Sequence, residues 1–188
     1  MKITLDDIEQ FSVPLEDYIS NWVFMDENDK LAPAEHQDQI FALTKEAANF
    51  LWDFDMQLGI ECSEKYFKVI TIFESGTAKT AEIKKFLYNL GIPFSHKVFI
   101  AMQPDTGFVL TWKMVIKYSH NLFFGYDQVV RDRTLNWALQ FDHDDIFTFG
   151  KDIIFDAAKE KQKNIEKIDN ALKEMAERKK QQENYLKQ

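Results

Sequence analysis

The densest group of metal-binding and proton-active side chains in the sequence is Asp142-His143-Asp144-Asp145. A carboxylate beside an imidazole can transfer protons in acid–base catalysis, and the same groups can bind a divalent cation. The calcium-loop pattern D-x-D-x-D-G is absent, however, and no second histidine stands nearby at metal-binding spacing. The favoured interpretation is therefore an acidic β-turn, in which Asp144 and Asp145 supply turn geometry and His143 ends the inward face of a strand. No catalytic residue, metal site or cofactor is expected.

The elements that would position this cluster lie within residues 135–150. Apolar residues alternate there with polar ones at a spacing of two, which is typical of a half-buried strand. The predicted inward-facing residues are Trp137, Leu139, Phe141 and His143. Residues 146–149 form a second β-prone run, so the cluster is predicted to join two strands.

The other candidates for chemistry are isolated in the sequence. His96 and His120 would form a three-histidine site with His143 only if the sheet brought them together, and single histidines are more often structural. Cys62 is the only cysteine, which excludes an intrachain disulfide and favours a reducing compartment. The motifs G-x-x-x-x-G-K-[ST], G-x-G-x-x-G and G-x-S-x-G are absent.

Aromatic residues near the acidic cluster are the remaining candidates for a binding surface. Five aromatic residues could line a groove for a peptide or ligand, although aromatics at strand and helix spacing are more often core residues. They are Trp112, Phe123, Phe124, Tyr126 and Trp137. The full set of candidate binding residues is Trp112, Tyr126, Trp137, Asp142, His143, Asp144 and Asp145.

The charge distribution limits the classes of partner. The chain of 188 residues has a net charge of −8, and residues 1–150 hold 23 acidic and 13 basic residues. Nucleic acid and anionic membranes are poor partners for such a surface, because phosphate binding requires clustered Lys and Arg. The first ten residues have no apolar signal-peptide region, and no run approaches the ~20 apolar residues of a membrane helix. A cytoplasmic protein is expected.

Apolar periodicity and capping residues predict the other elements. Residues 33–58 carry a helical apolar stripe, in which Thr44 can cap a second segment after a break near Leu43. Gly59 would end this helix. The clearest helix is predicted at residues 80–90 and the most β-prone run at 66–73. Further strands are predicted at residues 22–25, 97–103, 108–111 and 128–131, and a helix is predicted from Thr111.

These elements predict an α+β fold. Residues 1–150 are interpreted as one domain with a mostly antiparallel sheet, on one face of which the helices at 33–58 and 80–90 pack. Residues 151–188 contain no Gly or Pro and many Lys, Glu, Gln and Ala. They are interpreted as a long C-terminal helix with a weak heptad seam, which would dock on the domain or pair with a second copy. The seam residues are Ile165, Ile168, Leu172 and Met175.

The order of predicted elements and the residue spacing in 108–150 resemble those of a known type of domain. A strand ends in T-W, a helix and a short loop follow, and the stretch closes with W-x-L-x-F-x-H-x-D-x-F-x-F-G. This pattern resembles the closing part of several small, mostly uncharacterised bacterial domains, some of which are immunity proteins of toxin systems. The resemblance covers about a quarter of the chain and implies a small acidic α+β binding protein, without an active site to transfer.

Two functions from different classes follow from the sequence. The first is a non-enzymatic cytosolic protein, immunity-like, that binds a protein partner or associates with itself through the C-terminal helix. The second is a small metal-dependent or acid–base enzyme that uses the Asp142-His143-Asp144-Asp145 cluster. They differ in whether His143 faces a cleft on which carboxylates converge.

Overall fold

The computed structural model of the protein describes residues 3–125, 127–154 and 156. These residues contain an eight-stranded sheet in which every pair of neighbouring strands is antiparallel. The strands are β1 (Ser12–Val13), β2 (Ile40–Leu43), β3 (Phe67–Glu74), β4 (Lys97–Gln103), β5 (Thr106–Thr111), β6 (Gln128–Arg131), β7 (Trp137–Asp142) and β8 (Ile146–Ile153). Their order across the sheet is β1-β2-β5-β4-β6-β7-β8-β3. The α+β class and the antiparallel sheet are therefore confirmed.

Helices occupy the connections between the strands. They are α1 (Ala34–Gln37), α2 (Lys45–Leu58), α3 (Thr80–Asn89), α4 (Trp112–Lys117) and α5 (Ser119–Leu122), with short 3-10 helices at Ile8–Phe11, Leu15–Asp17 and Asn21–Phe24. The Thr44 hydroxyl accepts a hydrogen bond from the Ala47 amide at the start of α2, and Gly59 ends this helix with a φ of 55°. The predicted start and end of this helical segment are confirmed because both depend on local capping chemistry.

The two longest helices pack on opposite faces of the sheet. Alternate residues of β4 belong to two separate cores, with Val98 and Ile100 in one and Phe99 in the other. Leu87 of α3 packs in the first core, whereas Leu51 of α2 packs in the second. The prediction that both helices share one face is therefore wrong. We call the two sides of the sheet the α3 face and the α2 face.

Two predicted elements have a different structure. Residues 40–43, predicted as part of a helix, form β2, where Ile40 pairs with Leu110 and Ala42 with Phe108 of β5. Residues 22–25 were predicted as a strand, but residues 22–24 fall in a 3-10 helix that buries Val23 and Phe24, and only Met25 forms an isolated β-bridge, with Leu31. In both places a short apolar run fits a helix or a strand, and contacts distant in sequence determine which one forms.

The predicted fold is also wrong in its last element. The C-terminal helix was predicted from residue 151, but Lys151 pairs with Val69 and with Trp137, and Ile153 pairs with Phe67, so β8 continues through these positions. A division between compact units falls between Ile153 and Ile154. Residues 157–188, with the predicted heptad seam, lie outside the described residues, and the structure shows no long C-terminal helix in the part it describes. No helix in this part is long and apolar enough to span a membrane.

Candidate functional site

The Asp142-His143-Asp144-Asp145 cluster forms the tight turn between β7 and β8. The Asp142 carboxylate accepts hydrogen bonds from the backbone amides of Asp144 at 3.0 Å and Ile146 at 3.3 Å. Asp145 has a left-handed φ of 61°, and its carbonyl accepts both the amide and the hydroxyl of Ser75 at 2.7 Å. Two of the three aspartates are thus engaged in local turn geometry, as acidic turn residues commonly are.

His143 lies outside the strand alternation that precedes it. Strand β7 ends at Asp142, and the imidazole is 70% exposed rather than directed at the core. Its Nδ1 lies 2.8 Å from Asp127 Oδ1, which also accepts the backbone N–H of His143 at 2.8 Å. The prediction that His143 ends the inward face of the strand is wrong, because the side chain turns toward the Asp127 loop.

The electrostatics of this pair follow from its hydrogen bond. The hydrogen bond to Asp127, reinforced by that charge and by Asp144 and Asp142, raises the pKa of His143 above its ordinary value. Hydrogen bonds from His143 lower the pKa of Asp127. Both side chains are more than half exposed. Among the described residues, no group of three or more His, Cys, Asp or Glu is arranged to hold a metal ion.

Three of the predicted aromatic residues, Trp112, Phe123 and Trp137, occupy the core, whereas Phe124 is 64% exposed. Trp112 is fully buried and Trp137 is 7% exposed, and their rings contact edge to face with centroids 5.8 Å apart. Neither ring is presented to a macromolecular partner. Tyr126 lies outside the described residues.

A buried aspartate that the sequence did not single out organises the start of β7. Asp132 is 2% exposed and accepts five hydrogen bonds through its two carboxylate oxygens. His96 Nε2 lies 2.7 Å from Oδ2, which also accepts the Trp137 Nε1–H at 2.9 Å. His96, Asp132 and Trp137 line a cavity of about 160 Å³. Only the D-x-T spacing to Thr134, typical of an Asx turn, hinted at this role.

A second buried charge lies on the α2 face. Arg131 Nε is 3.2 Å from Asp55 Oδ1, and its guanidinium also donates to the Ile60 carbonyl at 2.6 Å. Burial raises the pKa of Asp55 to about 6, although Arg131 opposes this shift. Burial also raises the pKa of the neighbouring Cys62 thiol, which donates to the Ala138 carbonyl at 3.3 Å. These features indicate an inert structural thiol rather than a nucleophile.

The negative charge of the chain is concentrated near its N-terminus. Residues 1–64 contain fifteen Asp and Glu but only three Lys and no Arg. Seven of these acidic residues lie between positions 14 and 38, where Lys30 is the single basic residue other than His36. We call residues 14–38 the acidic segment. Its carboxylates, all exposed, are Glu16, Asp17, Asp26, Glu27, Asp29, Glu35 and Asp38.

Buried side chains and hydrogen bonds attach the acidic segment to the sheet and to α5. Val23 and Phe24 are fully buried, and the Tyr18 hydroxyl hydrogen-bonds the backbone of Gly107 in β5. Asn121 of α5 donates to the Val23 carbonyl at 3.1 Å. The segment thus has a fixed conformation although its helices are short.

Two large apolar side chains of the acidic segment point into solvent. Ile19 is 84% exposed and Trp22 is 43% exposed, and each stands within four residues of a buried neighbour. An exposed indole on a segment whose neighbouring side chains are buried in the core is a candidate contact for another protein. The apolar residues of this short stretch do not repeat at the spacing of a helix or of a strand. The sequence therefore could not distinguish Ile19 and Trp22 from core residues.

No family model, curated protein sequence or solved structure matches the chain. The candidate site therefore rests on the geometry of this chain, and the resemblance of residues 108–150 to immunity-like domains stays a prediction.

Proposed function

We propose that the chain is a non-enzymatic, cytosolic, immunity-like protein that binds a partner protein with a basic surface. The acidic segment is the proposed contact surface. The observation that carries this proposal is the exposure of Ile19 and Trp22 among seven exposed carboxylates, on a segment whose other large apolar residues are buried or half-buried.

The composition of this surface suits protein recognition. Binding energy at interfaces concentrates in a few large side chains, among which Trp is enriched, and a polar rim excludes water around them. Trp22 and Ile19 provide such anchors, and the surrounding carboxylates would attract a basic partner and orient it during encounter. The same charge disfavours nucleic acid and anionic membranes.

The rigidity of the segment also supports binding. A surface that is already ordered loses little conformational entropy when a partner docks. The contacts of Tyr18 with Gly107 and of Asn121 with Val23 tie both ends of the exposed stretch to the sheet and to α5. Ile19 and Trp22 would therefore meet a partner in the conformation that they already have.

The alternative of an acid–base or metal-dependent enzyme has less support. His143 pairs with Asp127 on an exposed surface, where water screens the pair. The Asp142 carboxylate is engaged by the turn amides of Asp144 and Ile146. The stronger carboxylate–imidazole pair is His96 with Asp132, but Asp132 also accepts four other hydrogen bonds that hold the turn before β7.

Affinity capture with matched variants tests the proposal. The immobilised full chain is exposed to lysate, and captured proteins are identified by mass spectrometry for wild type, Trp22→Ala and Ile19→Ala. Tyr88→Ala and Met56→Ala serve as controls, because these apolar residues are 60% and 68% exposed outside the acidic segment. The proposal requires a basic protein that wild type and both controls retain and that the Trp22 and Ile19 variants lose.

The purified partner then distinguishes an immunity-like role from simple association. If the partner is a toxic enzyme, stoichiometric inhibition by wild type and its loss in Trp22→Ala are expected. A partner that all variants retain equally would contradict the assignment of the acidic segment. If the immobilised chain captures no protein that is absent from a control with the bare matrix, the binding function itself is contradicted.

A further inference from the structure

The two edges of the sheet differ in a way that bears on self-association. One edge is β1, which has only two residues, Ser12–Val13. The other is β3, which has eight residues, Phe67–Glu74, and pairs on one side only, with β8, in the part of the chain that the structure describes. Short edge strands protect sheets from adding further strands, whereas a long edge strand exposes a row of backbone donors and acceptors.

Apart from the charges of Lys68 and Glu74, strand β3 lacks the features that usually protect an edge. It contains no proline, and its pairing with β8 keeps a constant register from Val69 to Glu74, although Asp152 beside Lys68 has a left-handed φ of 60°. Its middle is apolar and exposed, with Val69 44% and Ile72 62% accessible. Lys68 and Glu74 are its only charged residues, one near each end.

The sequence of β3 is self-complementary about Thr71. Read outward from Thr71, the residues are Ile70 and Ile72, then Val69 and Phe73, then Lys68 and Glu74. The first step pairs two isoleucines, the second pairs two apolar residues of different size, and the third pairs opposite charges. A strand with this order fits an antiparallel copy of itself.

Strand geometry restricts how two copies could pair. In an antiparallel ladder, opposite residues direct their backbone groups to the same side of their strands, so residues that face each other across a two-fold axis differ by an even number. The axis must therefore pass through a residue rather than between two. Centring on Ile70 places Lys68 opposite Ile72, and centring on Ile72 places Glu74 opposite Ile70. Only the Thr71 register places each Lys68 opposite a Glu74.

We propose that two copies of this chain associate through β3, antiparallel and centred on Thr71, to form one continuous sheet of sixteen strands. Ile70 and Ile72 of both copies form an apolar cluster on the α2 face, and Val69 packs opposite Phe73 on the α3 face. Two Lys68–Glu74 ion pairs close the ends. This interface is separate from the acidic segment, so the inference does not depend on the proposed function.

Charge exchange between the two ends of β3 tests the register. The full-length chain is measured by sedimentation over the micromolar concentration range, with circular dichroism as a check of folding. Lys68→Glu and Glu74→Lys should each weaken the dimer about tenfold or more, because like charges then face each other. The double variant with both exchanges should dimerise as wild type. Mixing the two single variants should give a heterodimer, since all four facing charges are then opposite.

Two further variants complete the test. Ile72→Lys, at an exposed edge position, should give a folded monomer, whereas Lys113→Glu, at an exposed position on α4, should leave the dimer unchanged. A monomeric wild-type chain overturns the proposal. A dimer that forms only after residues 157–188 are removed also overturns it, because β3 would then be protected within its own chain. A dimer that survives Ile72→Lys, or that the double exchange fails to restore, also overturns it.

Discussion

Replacing Trp137 with phenylalanine separates two contributions of this side chain to stability. The indole packs edge to face against Trp112 and lies 5.8 Å, between ring centroids, from Phe149. Its Nε1–H donates to Asp132 at 2.9 Å. Phenylalanine keeps most of the apolar contact but leaves the buried carboxylate with one donor fewer. Trp112→Phe is a matched control, because Trp112 Nε1 is buried without a hydrogen-bond partner in the part of the chain that the structure describes.

The expected magnitudes follow from these contacts. A hydrogen bond to a charged group contributes about 1.5–3 kcal/mol, so Trp137→Phe should destabilise the fold by that much more than Trp112→Phe. Trp137→Ala also removes the packing and should cost about 3–5 kcal/mol in total. Urea denaturation followed by circular dichroism measures all three variants. Equal losses for the two phenylalanine variants would refute the role assigned to the bond with Asp132.

The remaining predictions concern packing and titration. Gly150→Ala should destabilise the fold by about 1–3 kcal/mol, because an added Cβ would overlap the Phe67 ring; the loss should shrink in a Phe67→Leu background, and full additivity would contradict this. The pKa of Asp55 is raised to about 6 from 3.8, so the folded state binds this proton more tightly than the unfolded state. The stability of wild type relative to Asp55→Asn should therefore fall by about 2.4 kcal/mol from pH 4 to pH 7, and a flat difference would contradict the assigned cause. NMR titration should give His143 a pKa above 6.5, and this pKa should be lower in Asp127→Asn. The stabilisation from the pair is fully present below pH 6.5 and is lost as pH rises through the raised pKa of His143.

Locally encoded elements of the fold could be predicted from the sequence. Helix α2 is bounded by Thr44 and Gly59, whose capping roles depend on their own neighbours, and both were identified. Residues 40–43 were misassigned because four apolar residues fit either a helix or a strand, and pairing with β5 decides. Which face of the sheet each helix covers depends on the whole topology, and no local pattern carries that information.

The features of the candidate site likewise divide into those that local residue types determine and those that depend on residues distant in sequence. The turn formed by Asp142, Asp144 and Asp145 follows from residue type, and it was predicted. The direction of His143 depends on Asp127, sixteen residues earlier, and so could not be inferred from strand alternation. The hydrogen bond between His96 and Asp132 spans 36 residues and is equally non-local.

The affinity of the captured partner for Trp22→Ala tests the central claim most directly. Calorimetry with the full-length chain should show a loss of about 2 kcal/mol or more relative to wild type, as expected for a buried aromatic anchor. Tyr88→Ala should bind as wild type, and raising the salt concentration should weaken every complex, because carboxylates surround the contact. Equal affinity of wild type and Trp22→Ala, or binding that salt leaves unchanged, would contradict the acidic segment as the binding surface.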